Sequence, residues 1–138
     1  DVDLQIGRWN EDAEPMALDT REWVTQQWIH FLEGIAGTLD SASMAKLDAA
    51  FHFTLTGNSE VLAVWLRLAI AHGYSVADAR LEEFLMNVGR RKFLEPLYKE
   101  LSKTPAGRAR AGAIYDRARP RYHAVSIAAI DQVLGPKD

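Results

Sequence analysis

The sequence predicts an all-α fold of about seven antiparallel helices. Three observations carry that expectation. Apolar residues recur with the 3.6-residue period of a helix along nearly the whole chain, residues that cap or stop helices punctuate the pattern, and no two alternating segments are joined by a hairpin turn. The one brief alternation, AFHFTLTG, continues a helical pattern and has no partner strand.

The first expected helix carries Trp23, Trp28, Phe31, Leu32, Ile35 and Leu39 on one face, with Asp19 and Glu22 as a capping pair at its start and Gly34 and Gly37 near its end. The second follows LDSAS and turns Met44, Leu47, Ala50 and Phe51 inward. LTGNSE breaks the pattern: Asn58 is placed to cap the next turn, and Glu60 suits the positive end of the new helix. That third helix, from about residue 59 to residue 72, is apolar nearly all round and therefore central, with Arg67 as its one cation. Gly73 ends it. Ser75 opens a fourth, with Ala79, Leu81, Phe84, Leu85 and Val88 inward, and Gly89 stops that one by taking the left-handed conformation. A fifth runs from about Lys92 to Lys103. Thr104 and Pro105 cap a sixth that reaches about Arg119, Pro120 interrupts, and a seventh covers about residues 122–134. Short connections make successive helices antiparallel neighbours, which leaves two architectures open: a closed bundle, or helix pairs stacked as in a solenoid.

The 138 residues suit one domain, and 48% hydrophobic with 25% charged residues is the composition of a soluble globule. Without cysteine, disulfides and thiolate metal sites are excluded. The acidic start, DVDLQIGRWNEDAEP, lacks the features of a signal peptide, and the longest apolar stretch, VLAVWLRLAIAHGY, is too short to span a bilayer. A cytoplasmic location is the expectation. Charge is segregated. Residues 1–87 hold 5 Lys and Arg against 14 Asp and Glu, a net of −9, whereas residues 88–138 hold 11 against 5, a net of +6. Such asymmetry marks either a basic surface that meets an anion or two halves that neutralise one another.

No catalytic centre is legible. The four histidines, His30, His52, His72 and His123, form no H-E-x-x-H and no i, i+4 pair, and no nucleophile-elbow, Walker or dinucleotide glycine pattern occurs. The remaining candidate is GRRKF at 89–93. In a helix, Arg90 and Lys92 would project roughly 200° apart; in a non-helical connection after Gly89 they would point the same way. The latter geometry, beside the N–H groups that open the next helix, suits a carboxylate or phosphate. A solvated loop that balances the acidic half fits the same spacing. A basic helical surface built on GRARAGAIYDRARPR is the competing reading: a binding module for nucleic acid or for a protein partner.

NSEVLAVWLRLAI, then VGRRKFLEPLYKEL, then RYHAVS resemble in order the C-terminal domain of leukotriene A4 hydrolase and its bacterial aminopeptidase relatives, M1-type zinc aminopeptidases. WIHFLEGI and MAKLDAAF match two further segments, so the likeness runs from about residue 18 to residue 134. It departs at Ala124, where the family usually has proline. The resemblance implies an armadillo- or HEAT-like α-α superhelix over residues 18–138, with residues 1–17 a linker or N-terminal extension. It implies a chain that is not catalytic alone: the zinc site would lie in a catalytic domain outside it, and this chain would bind no cofactor. Its partners would be the catalytic and N-terminal domains of the same polypeptide and a short peptide, with no nucleic acid and no membrane. By the resemblance, Arg90 and Lys92 hold the free carboxylate of the substrate, and Arg91 occupies a variable position.

Overall fold

The structure, a computed structural model, describes residues 2–13 and 23–135. It is all-α: among the described residues there are eight α-helices, packed antiparallel, with short 3-10 turns and no strand. None of these helices is long and apolar enough to cross a membrane. The chain divides into two compact units, Asp1–Ser75 and Val76–Asp138.

The first unit holds α1 (Val2–Asp12), α2 (Thr25–Ile35), α3 (Ser41–Phe51) and α4 (Ser59–His72). Helix α1 is the eighth helix, absent from the expected series and lying within the stretch read as linker or extension. It packs on α2 and buries Gln5 and Trp9. The approach is close: a Cβ on Gly34 of α2 would stand 2.3 Å from Ile6 Cδ1, so any larger residue there would require the Ile6 side chain to move. Asp19 and Glu22 lie outside the described residues. Helix α2 itself opens at Thr25, where the Gln27 side chain accepts from the Val24 N–H at 2.8 Å.

Helix α3 begins in a reciprocal cap. The Ser43 N–H donates to Asp40 Oδ1 at 2.8 Å and the Asp40 N–H donates to Ser43 Oγ at 2.9 Å. Met44 and Leu47 point inward as expected, but Ala50 is exposed and Phe51 only half-buried. His52, in the left-handed region at φ 57°, ends the helix just after them.

Helix α4 has the limits its sequence suggests. Asn58 Oδ1 accepts from the N–H groups of Glu60 and Val61, and Gly73 terminates the helix at φ 68°. Val61, Leu62, Trp65, Leu66, Leu68 and Ala69 are buried, while Val64, Arg67 and Ile70 are half-buried. Around Trp65 the unit closes on a polar network. Trp65 Nε1 donates to Thr54 Oγ1 at 3.0 Å, and Thr54 Oγ1 donates to Asp48 Oδ2 at 2.6 Å. The Thr54 N–H and the Tyr74 hydroxyl donate to the same carboxylate, at 2.9 and 2.7 Å. Burial, and then the Asp48 carboxylate, raise the Tyr74 phenol and keep it a donor.

The second unit holds α5 (Asp78–Asn87), α6 (Arg91–Leu101), α7 (Pro105–Ala118) and α8 (Ala124–Leu134). Leu81, Phe84 and Leu85 are buried on α5, whereas Ala79 is exposed. The misplacement follows from the 3-10 turn Ser75–Ala77, which delays the α-helix to Asp78 and buries Ala77 instead. Helix α6 packs on α7 and α8 with Phe93, Leu94, Leu97, Tyr98 and Leu101 buried, a one-sided stripe. Helix α7 starts at Pro105 under a Thr104 cap, with the Gly107 N–H donating to Thr104 Oγ1 at 3.0 Å.

Helix α8 opens at Ala124 after an extended His123 (ψ 156°). Ala124 is thus the first helical residue, where proline's fixed φ fits and its missing N–H removes no helical bond, and His123 already has the backbone that precedes proline. Ala124→Pro should therefore raise stability by about 0.4–1 kcal/mol through the unfolded chain. Urea unfolding measures this, and a loss of stability would show that the opening turn of α8 does not have this geometry.

Candidate functional site

The sequence-predicted cations stand at the start of α6. Val88, extended at ψ 128°, ends α5. Gly89 does not adopt the left-handed conformation expected of it: among the described residues only Gly73 and Gly135 are glycines with positive φ. Arg90 is the extended N-cap of α6 (φ −78°, ψ 124°), and Arg91 and Lys92 are its first two helical residues. The helix starts one residue earlier than expected, so Arg90 and Lys92 are not related as two residues of an extended strand. They converge by another route, on the buried ring of Phe93. Arg90 Cζ lies 5.7 Å and Lys92 Nζ 5.1 Å from the centroid of that ring.

Arg91 behaves differently from its neighbours. Its Nε donates to Glu95 Oε2 at 2.9 Å, and Lys99 closes on the other oxygen of Glu95 at 3.2 Å. Hydrogen bonds from Arg91 and then Lys99 hold the Glu95 carboxyl below its usual range. Arg90 makes no ion pair with any described residue. Three cations occupy the positive end of a helix whose first turn contains no acid, each opposed by about 0.3–1 kcal/mol in an exposed setting. The N–H groups of this turn add to the positive potential, and a bound anion would relieve it.

What holds this turn in place lies 35–37 residues further on. The Ser126 hydroxyl donates to the Gly89 carbonyl at 2.7 Å, and the Tyr122 hydroxyl donates to the Leu85 carbonyl. Arg121 reaches the Met86 carbonyl at 3.5 Å. Carbonyls that α5 leaves without helical partners are thus taken up by the turn before α8, and the Gly89 carbonyl by the first turn of α8 itself. The Tyr98 and Tyr122 hydroxyls meet at 2.9 Å beneath, and burial, then the Tyr122 hydrogen bond, raises Tyr98 far out of the range in which phenols ionise. Residue-by-residue reading missed Phe93, Tyr122 and Ser126. Phe93 was read only as part of the GRRKF motif and is core, and the other two sit in RYHAVS with no local sign of their partners.

The arginines of α7 and the following turn are occupied elsewhere. Arg110 binds Asp78 through its carboxylate at 3.2 Å and its carbonyl at 2.8 Å, and Arg117 pairs with Glu82, whose carboxyl the Arg117 hydrogen bond lowers. Arg119 pairs with Asp131 at 3.6 Å, and Arg108 donates to the Leu134 carbonyl. With Arg121 on Met86, all five have partners within the unit. The basic segment serves to fasten α7 to α5 and to α8, and three of its five arginines are paired with carboxylates.

Among the described residues no group of three or more His, Cys, Asp and Glu side chains could hold a metal ion.

A family model described as "Leukotriene A4 hydrolase, C-terminal" matches residues 23–134. Three fungal proteins named leucine aminopeptidase 2 are similar over nearly the whole chain. That of Phaeosphaeria nodorum is 26% identical over 128 residues, 91% of this chain and 20% of the relative. That of Pyricularia oryzae is 26% identical over 135 residues, 95% and 22%. That of Neurospora crassa is 24% identical over 132 residues, 93% and 20%. This chain spans about a fifth of the length of these relatives. With the family's pattern covering α2 to α8, the chain belongs to the leukotriene A4 hydrolase C-terminal domain family.

Proposed function

We propose that this chain is the C-terminal helical domain of an M1-type zinc aminopeptidase, that it closes the substrate cleft, and that Arg90 and Lys92 bind the free carboxylate of a short peptide. The fungal relatives' name supports the aminopeptidase reading. The observation that carries the carboxylate role is the state of Arg90: Arg91 is paired with Glu95, while Arg90 stands over Phe93 in no ion pair with a described residue, at the start of a helix whose first turn holds no acid. A guanidinium matches a carboxylate with two parallel N–H donors, and an ammonium adds a point charge. The pair would perform no chemistry. It would fix the distance from the substrate's carboxylate to the scissile bond, which supplies orientation and a preference for short peptides. Zinc, held in a catalytic domain outside this chain, would supply the Lewis acid.

The test is a comparison of one tripeptide as free acid and as C-terminal amide, with the full-length polypeptide that carries this chain. The free acid should have a kcat/KM at least tenfold higher, and the advantage should shrink as salt screens the contact. Equal values would overturn the carboxylate role.

A further inference from the structure

The Gly89 carbonyl and the Arg90 N–H belong to one planar peptide unit. Gly89 is the residue in this connection with the widest backbone freedom, so left alone it would let that plane rotate and carry Arg90 with it. One hydrogen bond removes the freedom. Ser126 Oγ, on a residue only 2% exposed, donates to the Gly89 oxygen at 2.7 Å. Ser126 is the third residue of α8, where a serine hydroxyl ordinarily bonds within its own turn; here it reaches back 37 residues. The neighbouring anchor, Tyr122 on Leu85, holds the end of α5 and not the plane that bears Arg90.

We infer that Ser126 is a positioning residue for substrate recognition: by fixing the Gly89–Arg90 peptide plane it aims the Arg90 guanidinium at the carboxylate. The inference rests on the carboxylate role proposed above and adds a residue that the family motif at 89–93 does not contain.

The experiment uses the full-length polypeptide and the same tripeptide as acid and amide. Ser126→Ala should raise KM for the acid about threefold to tenfold, the worth of one hydrogen bond, and move KM for the amide less than twofold. Gly89→Ala added to Ser126→Ala should recover part of the loss. Alanine restricts the backbone, φ at Gly89 is not positive, and a Cβ there meets nothing nearer than His123 Cδ2 at 3.8 Å. Should Ser126→Ala not fold, Ser126→Cys, close in size and a weak donor, should show the same split at smaller amplitude. Equal changes on acid and amide, or no change on either, would overturn the inference. Arg90→Ala is the reference: if it too fails to separate acid from amide, the carboxylate role falls. If it separates them and Ser126→Ala does not, only the positioning role falls.

Discussion

Arg90→Ala in the full-length polypeptide should lower kcat/KM for a tripeptide on the order of a hundredfold, about 2.7 kcal/mol. The loss combines a charge-assisted fork with the orientation it imposes. An amino-acid anilide has no carboxylate for Arg90 to hold, so its turnover should fall much less. Lys92→Ala should follow the same pattern more weakly, because a point charge restrains direction less than a planar fork does. Arg91→Ala is the internal control: that side chain is committed to Glu95, and losing an exposed i, i+4 pair should change neither substrate appreciably. Steady-state kinetics on three variants and two substrates decide the matter. Equal losses on tripeptide and anilide would mean that Arg90 supports the fold or a domain interface and does not read the substrate's carboxylate.

The largest effect on stability should come from Trp65→Ala, at about 3–5 kcal/mol. The residue is fully buried, stacked at 4.8 Å on Phe53 and edge-on to Tyr74 at 5.8 Å. Its removal leaves a cavity at the centre of the first unit and takes one donor from the Thr54 hydroxyl. Trp65→Phe should cost less, since it keeps most of the apolar contact and loses the Nε1–Thr54 bond. Urea unfolding with an unchanged m-value gives the difference directly. A loss well below 1 kcal/mol for the alanine variant would show that α4 is not the core element of its unit.

These two results sit on parts of the molecule that differ in how far sequence reveals them. Helix α4 was legible from end to end because every determinant is local: an Asn58 cap, an apolar run, a glycine able to take positive φ at 73. The Thr104–Pro105 start of α7 was legible for the same reason. Helix α1 escaped notice although Val2, Gln5, Ile6, Trp9 and Ala13 have helical spacing; the buried position at 5 is polar and Leu4 is exposed, so the apolar stripe does not stand out. Gly89 was misread because glycine is compatible with a left-handed stop without requiring one, and here the chain leaves α5 through an extended Val88. At the site, the motif supplied Arg90 and Lys92, and composition could not separate Arg91 from them. The distinction depends on Glu95 four residues on, a pairing visible in the sequence in retrospect. Ser126 and Tyr122 were beyond reach, since their partners are 37 residues away and nothing short of the fold brings them together.

The contact between α1 and α2 bears on where this module may be cut. The family pattern begins at residue 23, yet the face of α2 around Gly34 is completed by Ile6, and Trp9 lies buried upstream of the match. A fragment trimmed to the recognisable pattern would keep every signature residue and still expose the surface that α1 covers, inviting self-association. The unit that engineering would have to respect is therefore longer than the one the family pattern delimits.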